Sequence, residues 1–381
     1  MNIVIFEMEH FETAYTLIRL FDMPGNQITI YTNESCNSKF HEFFGNEYRH
    51  CSWAVQLPQE TNRQVILRMF RSFRSSAPDL LFYGTISNNH LLHALMIRRS
   101  APLRTILTLH DINSMFDFPF RPRIKIIARY LGKKALIKYI REFNVIVETM
   151  TGYLRNRLPQ NKIVHTVPGA VFEHDAPRLI ISGPIRMVIP GTIDKSRRDY
   201  KQVFELLNLA ERIDLPIEAV LLGEAFGEYG KEIIQQAKNW PRGCTSVKYY
   251  LSTVDQAEFD REMRSAQVAL IPSVVESISP YGVKEIYGAT KSSGSIGDVI
   301  RHARPFILPE RLALPEAMEA GSFRYEKLED IIDLLKSLHR NPIEYESWQE
   351  KALQCSQHYT IENVRKGNPG LFEQQRLHEG V

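Results

Sequence analysis

The sequence lacks any apolar run approaching the roughly 18–20 residues that a membrane-spanning helix needs, so no helical span is expected. Its first strand-like run, Asn2 to Phe6, is short and gives way at once to Glu7, Glu9 and His10, so a secretory signal peptide is not expected there. Cysteine is scarce. Cys36, Cys51, Cys244 and Cys355 are the four in 381 residues, and they form neither a CxxC pair nor a Cys/His ligand spacing. A disulfide framework and a zinc site are therefore not expected, and the thiols fit a reducing, cytoplasmic setting. An excess of one charge is missing too: 47 Lys and Arg face 44 Asp and Glu, a net +3. With no aromatic base-stacking motif either, a nucleic-acid partner is not expected. The chain reads as cytoplasmic, soluble or resting on the inner face of a membrane.

What is present is ordinary globular composition, 44% hydrophobic and 24% charged. A single core rarely grows past about 250–300 residues, so this length predicts two domains. Short β-type runs alternate with helical stretches, as in βα units on a parallel sheet. In the first half Ile3–Phe6, Gln27–Thr32, Leu80–Phe82, Thr105–Leu109 and Val145–Val147 read as strands, giving a sheet of about five or six. Arg186–Pro190, Ile217–Leu222, Val247–Leu251, Val268–Ile271 and Phe306–Leu308 restart the pattern. The expected fold is α/β: two Rossmann-like doubly wound domains facing a cleft. The boundaries are an acceptor-type domain over 1–172, a linker over 173–184, a second domain over 185–360, and a tail over 361–381 that could cross back to the first domain. In such sheets ligands bind beyond the carboxyl ends of the strands, so the residues just past each strand carry the chemistry.

Past the strand Arg186–Pro190 stand Gly191-Thr192, then Arg197, Arg198 and Lys201 at a helix start. Glycine admits close backbone approach, a helix N-terminus offers N–H groups, and the cations offset charge on a departing diphosphate. A plain strand–loop–helix connection with a solvated basic turn would look the same. A second candidate is Glu276 with Gly282-Val283-Lys284-Glu285, where glycine would open a short helix and present N–H groups to phosphate; a loop-to-helix junction is the alternative. A third is Lys291-Ser292-Ser293-Gly294-Ser295-Ile296-Gly297-Asp298, an anion nest or a helix capped by Ser295.

Arg186 to about Arg340 resembles the donor-binding domain of GT-B glycosyltransferases, especially the retaining glycosyltransferase family 4. The order of features matches: Gly191-Thr192 with its cation-bearing helix, Val220-Leu221-Leu222-Gly223-Glu224, Met263 to Ser273, then Glu276 and Glu285. The resemblance implies a nucleotide-diphosphate-sugar donor, with Glu276 on the transferred sugar, Glu285 on the ribose and Arg197, Arg198 or Lys201 on the phosphates. Eight residues separate the two glutamates where the family has seven, and Ile286-Tyr287 replaces the small residues that usually follow. Asp298 therefore stays as a rival ribose ligand. No Asp-x-Asp pair of the metal-dependent type stands at a suitable strand end, so no metal or other cofactor is expected.

On the acceptor side, His110-Asp111 follows a strand and could orient an acceptor hydroxyl or remove its proton; a strand-end His capped by its neighbour is the alternative. Glu9, His10 and Glu12 hold the equivalent place after the first strand. The stretch Arg121 to Arg141 contains eight cations, no acid, and an apolar stripe of Ile124, Ala128, Leu131, Ala135 and Tyr139. Phe116, Phe118 and Phe120 precede it, and Arg68, Arg71 and Arg74 form a related group. A docking surface for an anionic membrane is expected there, against the alternative of a solvated helix packing its stripe on the sheet. The combined expectation is sugar transfer to a lipid-linked or polysaccharide acceptor. The alternatives are a catalytically degenerate GT-B-like binding subunit or a sugar-nucleotide epimerase.

Overall fold

The computed structural model describes residues 1–44, 51–118, 123–173, 175–280 and 282–373. Two compact units emerge: Met1–Gly169 with Ser279–Glu285 and the segment from Ile361, and Ala170–Ile278 with Ile286–Thr360.

The first unit holds β1 (Asn2–Phe6), β2 (Gln27–Thr32), β3 (Cys51–Val55), β4 (Leu80–Tyr83), β5 (Arg104–Leu109), β6 (Glu142–Val145) and β7 (Ile163–Thr166). Their spatial order is β3-β2-β1-β4-β5-β6-β7, parallel throughout. The second unit holds β8 (Ile185–Pro190), β9 (Ile217–Leu222), β10 (Thr245–Tyr249), β11 (Val268–Leu270), β14 (Phe306–Pro309) and β15 (Ser322–Tyr325). Between β11 and β14 the chain forms β12 (Glu276–Ile278) and β13 (Lys284–Ile286), whose Lys284 and Glu285 belong to the first unit. The parallel sheet of the second unit runs β10-β9-β8-β11-β14-β15, while β12 and β13 form a separate two-stranded sheet. Both large sheets are therefore doubly wound, with order reversing between β1 and β4 and between β8 and β11. Ligands collect at such switch points.

Central strands are apolar on both faces because helices cover both. In β8, Ile185, Met187 and Ile189 enter one core with Tyr200 and Leu207, while Val188 enters another with Met263 and Ile296. The strands of the two large sheets that the sequence reading lacks, β3, β7 and β15, are all sheet edges. Half-exposed segments such as Ile163–Thr166 need no continuous apolar run. The strand expected at Val145–Val147 lies earlier, at Glu142–Val145, where Glu142 is buried between Arg104 and His165.

No helix opens at Gly282. The residue has φ +81° in the turn linking β12 to β13, with its N–H on the Ser279 carbonyl at 2.9 Å. Positive φ suits a glycine-bearing turn, and a helix would require the opposite sign. Tyr281 lies outside the described residues, as do Phe120, Arg121 and the tail beyond 373. Within the first unit, Arg365 donates to the carbonyls of Arg19, Leu20 and Asp22, closing the Phe11–Phe21 helix.

Candidate functional site

Gly191 leaves β8 with φ +97°, and its N–H meets the Leu222 carbonyl at the end of β9. A Cβ on Gly223 would lie 2.2 Å from the Gly191 oxygen, so the two strand ends meet as bare backbone. Beyond this turn Arg198 pairs with Ser273, which follows β11, and Asp199 N–H bonds the Pro272 carbonyl. These links fold the Arg198 side chain back over β8. It is 8% exposed. Its Nη1 donates to the Thr192 carbonyl at 3.1 Å and its Nη2 to the Ser295 hydroxyl at 2.7 Å. Ser295 lies in the first turn of the Gly294–His302 helix and also bonds the Pro190 carbonyl.

Both acceptors of Arg198 named here are neutral, and its buried Nε has no hydrogen-bond partner among the described residues. A guanidinium beside a helix N-terminus joins two positive elements. An anion is the group that would complete them. The third sequence candidate thus converges with the first. Ser295 is a partner of Arg198 rather than the cap, a place taken by Ser293, whose side chain makes no cap bond.

The helix that follows Arg198, Tyr200–Glu211, is different. Asp199 caps it and accepts the Lys201 N–H at 3.1 Å, so an acid already occupies the N-terminus expected to receive phosphate. Lys201 and Arg197 are exposed, with Arg197 3.6 Å from Asp194. Glu224 is exposed and accepts from Thr253. Glu276, in β12, is 3.7 Å from Arg311.

Glu285 is engaged within the first unit. It is 1% exposed, and its carboxylate accepts from Ser114 N–H at 2.6 Å and Asn113 N–H at 3.3 Å, at the start of the Ile112–Phe116 helix. A buried carboxylate committed to a helix N-terminus is a cap. Val283 N–H is likewise taken, by the Ser279 hydroxyl, so the Gly282-Val283 turn offers no phosphate nest. Asp298 lies on the Gly294–His302 helix, one turn past Ser295.

In the first unit, Glu7 follows β1 at the switch point and is fully buried. Its Oε1 accepts the N–H groups of Glu9 and His10, and its Oε2 the Thr85 hydroxyl at 3.0 Å. Burial pushes the Glu7 carboxyl up to about 7, against the pull of those hydrogen bonds. Gly84 makes room, since a Cβ there would lie 2.1 Å from Oε2. His110 Nε2 is 3.0 Å from the Gly84 carbonyl and 3.2 Å from the Thr85 hydroxyl, and burial lowers the His110 pKa. His110 is therefore bonded across to β4's end, and Asp111 beside it begins the Ile112–Phe116 helix. The His10 ring lies against that of His110, centroids 4.5 Å apart. Glu9, His10 and Glu12 are exposed.

The Ile124–Tyr139 helix buries Gly132, Lys133 and Leu136, not the apolar stripe that the alternative would pack on the sheet. Gly132 permits the contact, since a Cβ there would meet the Leu91 backbone at 2.6 Å. Ile124 is 88% and Leu131 57% exposed, while Ala135 and Tyr139 are half-buried. Lys125, Lys134 and Lys138 flank them in solvent. Arg68 is held by Glu60 at 2.7 Å.

No protein-family profile and no curated protein sequence matches the chain. Solved structures do. Anabaena HepE in complex with UDP-glucose superposes with a TM-score of 0.63 at 11% identity, over 97% of this chain and 99% of that one. The UDP-GlcNAc 2-epimerase of Neisseria meningitidis bound to UDP-GlcNAc gives 0.57 at 10%, over 96% and 98%. The lipopolysaccharide outer core galactosyltransferase WaaB gives 0.53 at 10%, over 98% and 99%. The chain has the GT-B fold. Within that fold the sequence reading missed Glu7, Thr85 and the Arg198–Ser295 bond. Only Glu7 left a signal, an acid directly after a wholly apolar strand, and it was read solely as a break in hydrophobicity.

Proposed function

We propose that this GT-B chain is a glycosyltransferase that binds a nucleotide-diphosphate-sugar in its second unit and transfers the sugar to an acceptor hydroxyl. The observation that carries this is the buried Arg198 beside Gly191, Thr192 and the Ser295 helix turn at the β8/β11 switch point. The diphosphate completes the two positive elements there, and Asp298 takes the ribose in place of Glu285. Glu276 contacts the donor sugar. Gly223 keeps the neighbouring strand end open, and Glu224 borders it. No metal is required where Arg198 and the helix dipole meet the departing charge.

In the first unit His110 takes the acceptor proton, with Asp111, Glu9, His10 and Glu12 around the acceptor. The acceptor oxygen bonds the anomeric carbon. The bond from that carbon to phosphate breaks with its electron pair leaving on the nucleotide diphosphate, and the hydroxyl proton passes to His110. This base requires inversion, whereas the family 4 resemblance implies retention; NMR of the product anomer separates the two.

The acceptor is lipid-linked or a growing surface polysaccharide. The exposed Ile124 and Leu131 among Lys125, Lys134 and Lys138 seat on an anionic membrane surface. Flotation with vesicles of anionic phospholipid tests this: binding should fall with Leu131→Asp and with added salt.

The deciding experiment is calorimetric titration with UDP, GDP, ADP and TDP, followed by transfer assays with the sugar of the base that binds. No nucleotide binding overturns the reading. Sugar conversion without an acceptor identifies an epimerase instead, and binding without turnover a degenerate subunit.

A further inference from the structure

We infer that Glu7 and Thr85 are positioning residues that fix the His110 imidazole with its proton on Nε2, leaving Nδ1 as the basic nitrogen. The inference rests on the base role proposed for His110. It starts from an acceptor that cannot donate. The Gly84 carbonyl lies 3.0 Å from His110 Nε2, so a neutral ring meets it only with the proton on that nitrogen. The Thr85 hydroxyl, 3.2 Å away, has one proton, and Glu7 Oε2 claims it at 3.0 Å; Thr85 must then accept from Nε2 as well. Both oxygens beside Nε2 are thereby held as acceptors. The lone pair is left on Nδ1.

Glu7 decides which way Thr85 points. Its Oε1 is committed to two backbone N–H groups, so any proton it binds sits on Oε2, facing Thr85. The hydroxyl would then turn toward Nε2 as a donor and compete with the Gly84 bond. Burial holds Glu7 to a carboxyl that gains its proton near neutrality, so the ionised state that orders His110 strengthens as pH rises. The other titratable groups facing this pair are Glu9 and His10 after β1, Cys36 on the Glu34–Phe44 helix, and Asp111 after β5.

Glu7→Gln tests this directly. Its amide oxygen keeps the two backbone bonds, so its NH2 faces Thr85 and imposes the reversed hydroxyl at every pH. Thr85→Val cuts the link, and Thr85→Ser restores it. With 15N-labelled histidine, His110 assigned through His110→Asn, the full-length protein should show the Nε2–H tautomer. Glu7→Gln should populate Nδ1–H, whereas Thr85→Val, which leaves the Gly84 carbonyl to hold Nε2–H, should keep the wild-type tautomer and lose only its dependence on Glu7. The kcat of Glu7→Gln should fall at least about tenfold, within the range general bases contribute, with donor KM unchanged and the rise in rate near pH 7 lost. Thr85→Ser should behave as wild type. An Nε2–H tautomer in folded Glu7→Gln overturns the inference, and so does a kcat lost with that tautomer intact. If the wild-type protein transfers no sugar, the function fails, and the tautomer measurement alone decides the positioning claim.

Discussion

Arg198 and Ser295 stand 97 residues apart, yet the guanidinium Nη2 and the serine hydroxyl meet at 2.7 Å in the interior of the second unit. The bond ties the loop after β8 to the opening turn of the Gly294–His302 helix. A cation and a helix N-terminus would otherwise oppose each other, so the hydroxyl holds in place what an incoming anion then stabilises.

Replacing Arg198 by lysine keeps the charge but loses the fork that reaches Thr192, Ser295 and a phosphate together. Hydrogen bonds to charged groups contribute about 1.5–3 kcal/mol. Arg198→Lys should therefore weaken binding of the preferred nucleoside diphosphate by roughly 10- to 100-fold in calorimetry. Ser295→Ala should cost roughly 3- to 10-fold, since it removes a neutral partner. Chelation by EDTA should leave the affinity unchanged. Equal affinities for wild type and Arg198→Lys would sink the site.

Gly191→Ala probes the same loop through its backbone. The residue sits at φ +97°, and a Cβ would fall 2.2 Å from Arg198 Nη2. A side chain there meets both a disfavoured conformation and a buried guanidinium, together about 1–3 kcal/mol or more. Differential scanning calorimetry should show a lower Tm, and nucleotide affinity should fall alongside it. An unchanged Tm would mean the loop is laxer than its hydrogen bonds indicate.

Much of this was legible in the residues. Central strands such as Ile217–Leu222 and the switch-point glycine Gly191 announce themselves by apolar runs that stop abruptly. Three edge strands did not, because β3, β7 and β15 need bury only part of their surface. The convergence of Arg198 with Ser295 was hidden for another reason: local pattern cannot tell which of two glycine-bearing turns a distant cation meets. Gly282 and the serines before Asp298 looked alike as anion nests. The first closes a hairpin, and the second opens a helix.

Glu285 has partners that motif spacing does not reveal. Its carboxylate bonds the N–H groups of Asn113 and Ser114, so the residue belongs to the stability of the first unit. Glu285→Ala leaves buried donors unmet, worth about 1–3 kcal/mol. Urea unfolding should show that loss, whereas nucleoside diphosphate affinity should stay within about twofold, inside the scatter expected of a site it does not touch. A selective loss of nucleotide binding at unchanged stability would return Glu285 to the ribose.

Glu7 makes stability depend on pH with a definite sign. Its carboxyl rises from 4.5 to about 7 because burial disfavours the charge. Below pH 4.5 both folded and unfolded chains hold the proton, and the group's contribution to stability is fully present. Between 4.5 and about 7 the unfolded chain releases the proton while the folded protein keeps it, so stability falls as pH rises; above that the curve is flat. The whole change amounts to at most about 3 kcal/mol. Glu7→Gln cannot titrate, so wild type minus variant isolates the term from His110, whose lowered pKa acts with the opposite sign. Chemical denaturation at pH 5 and pH 8 should show wild type losing stability relative to Glu7→Gln over that interval. A parallel pair of curves would mean that water reaches the carboxylate, and that Glu7 is ionised throughout.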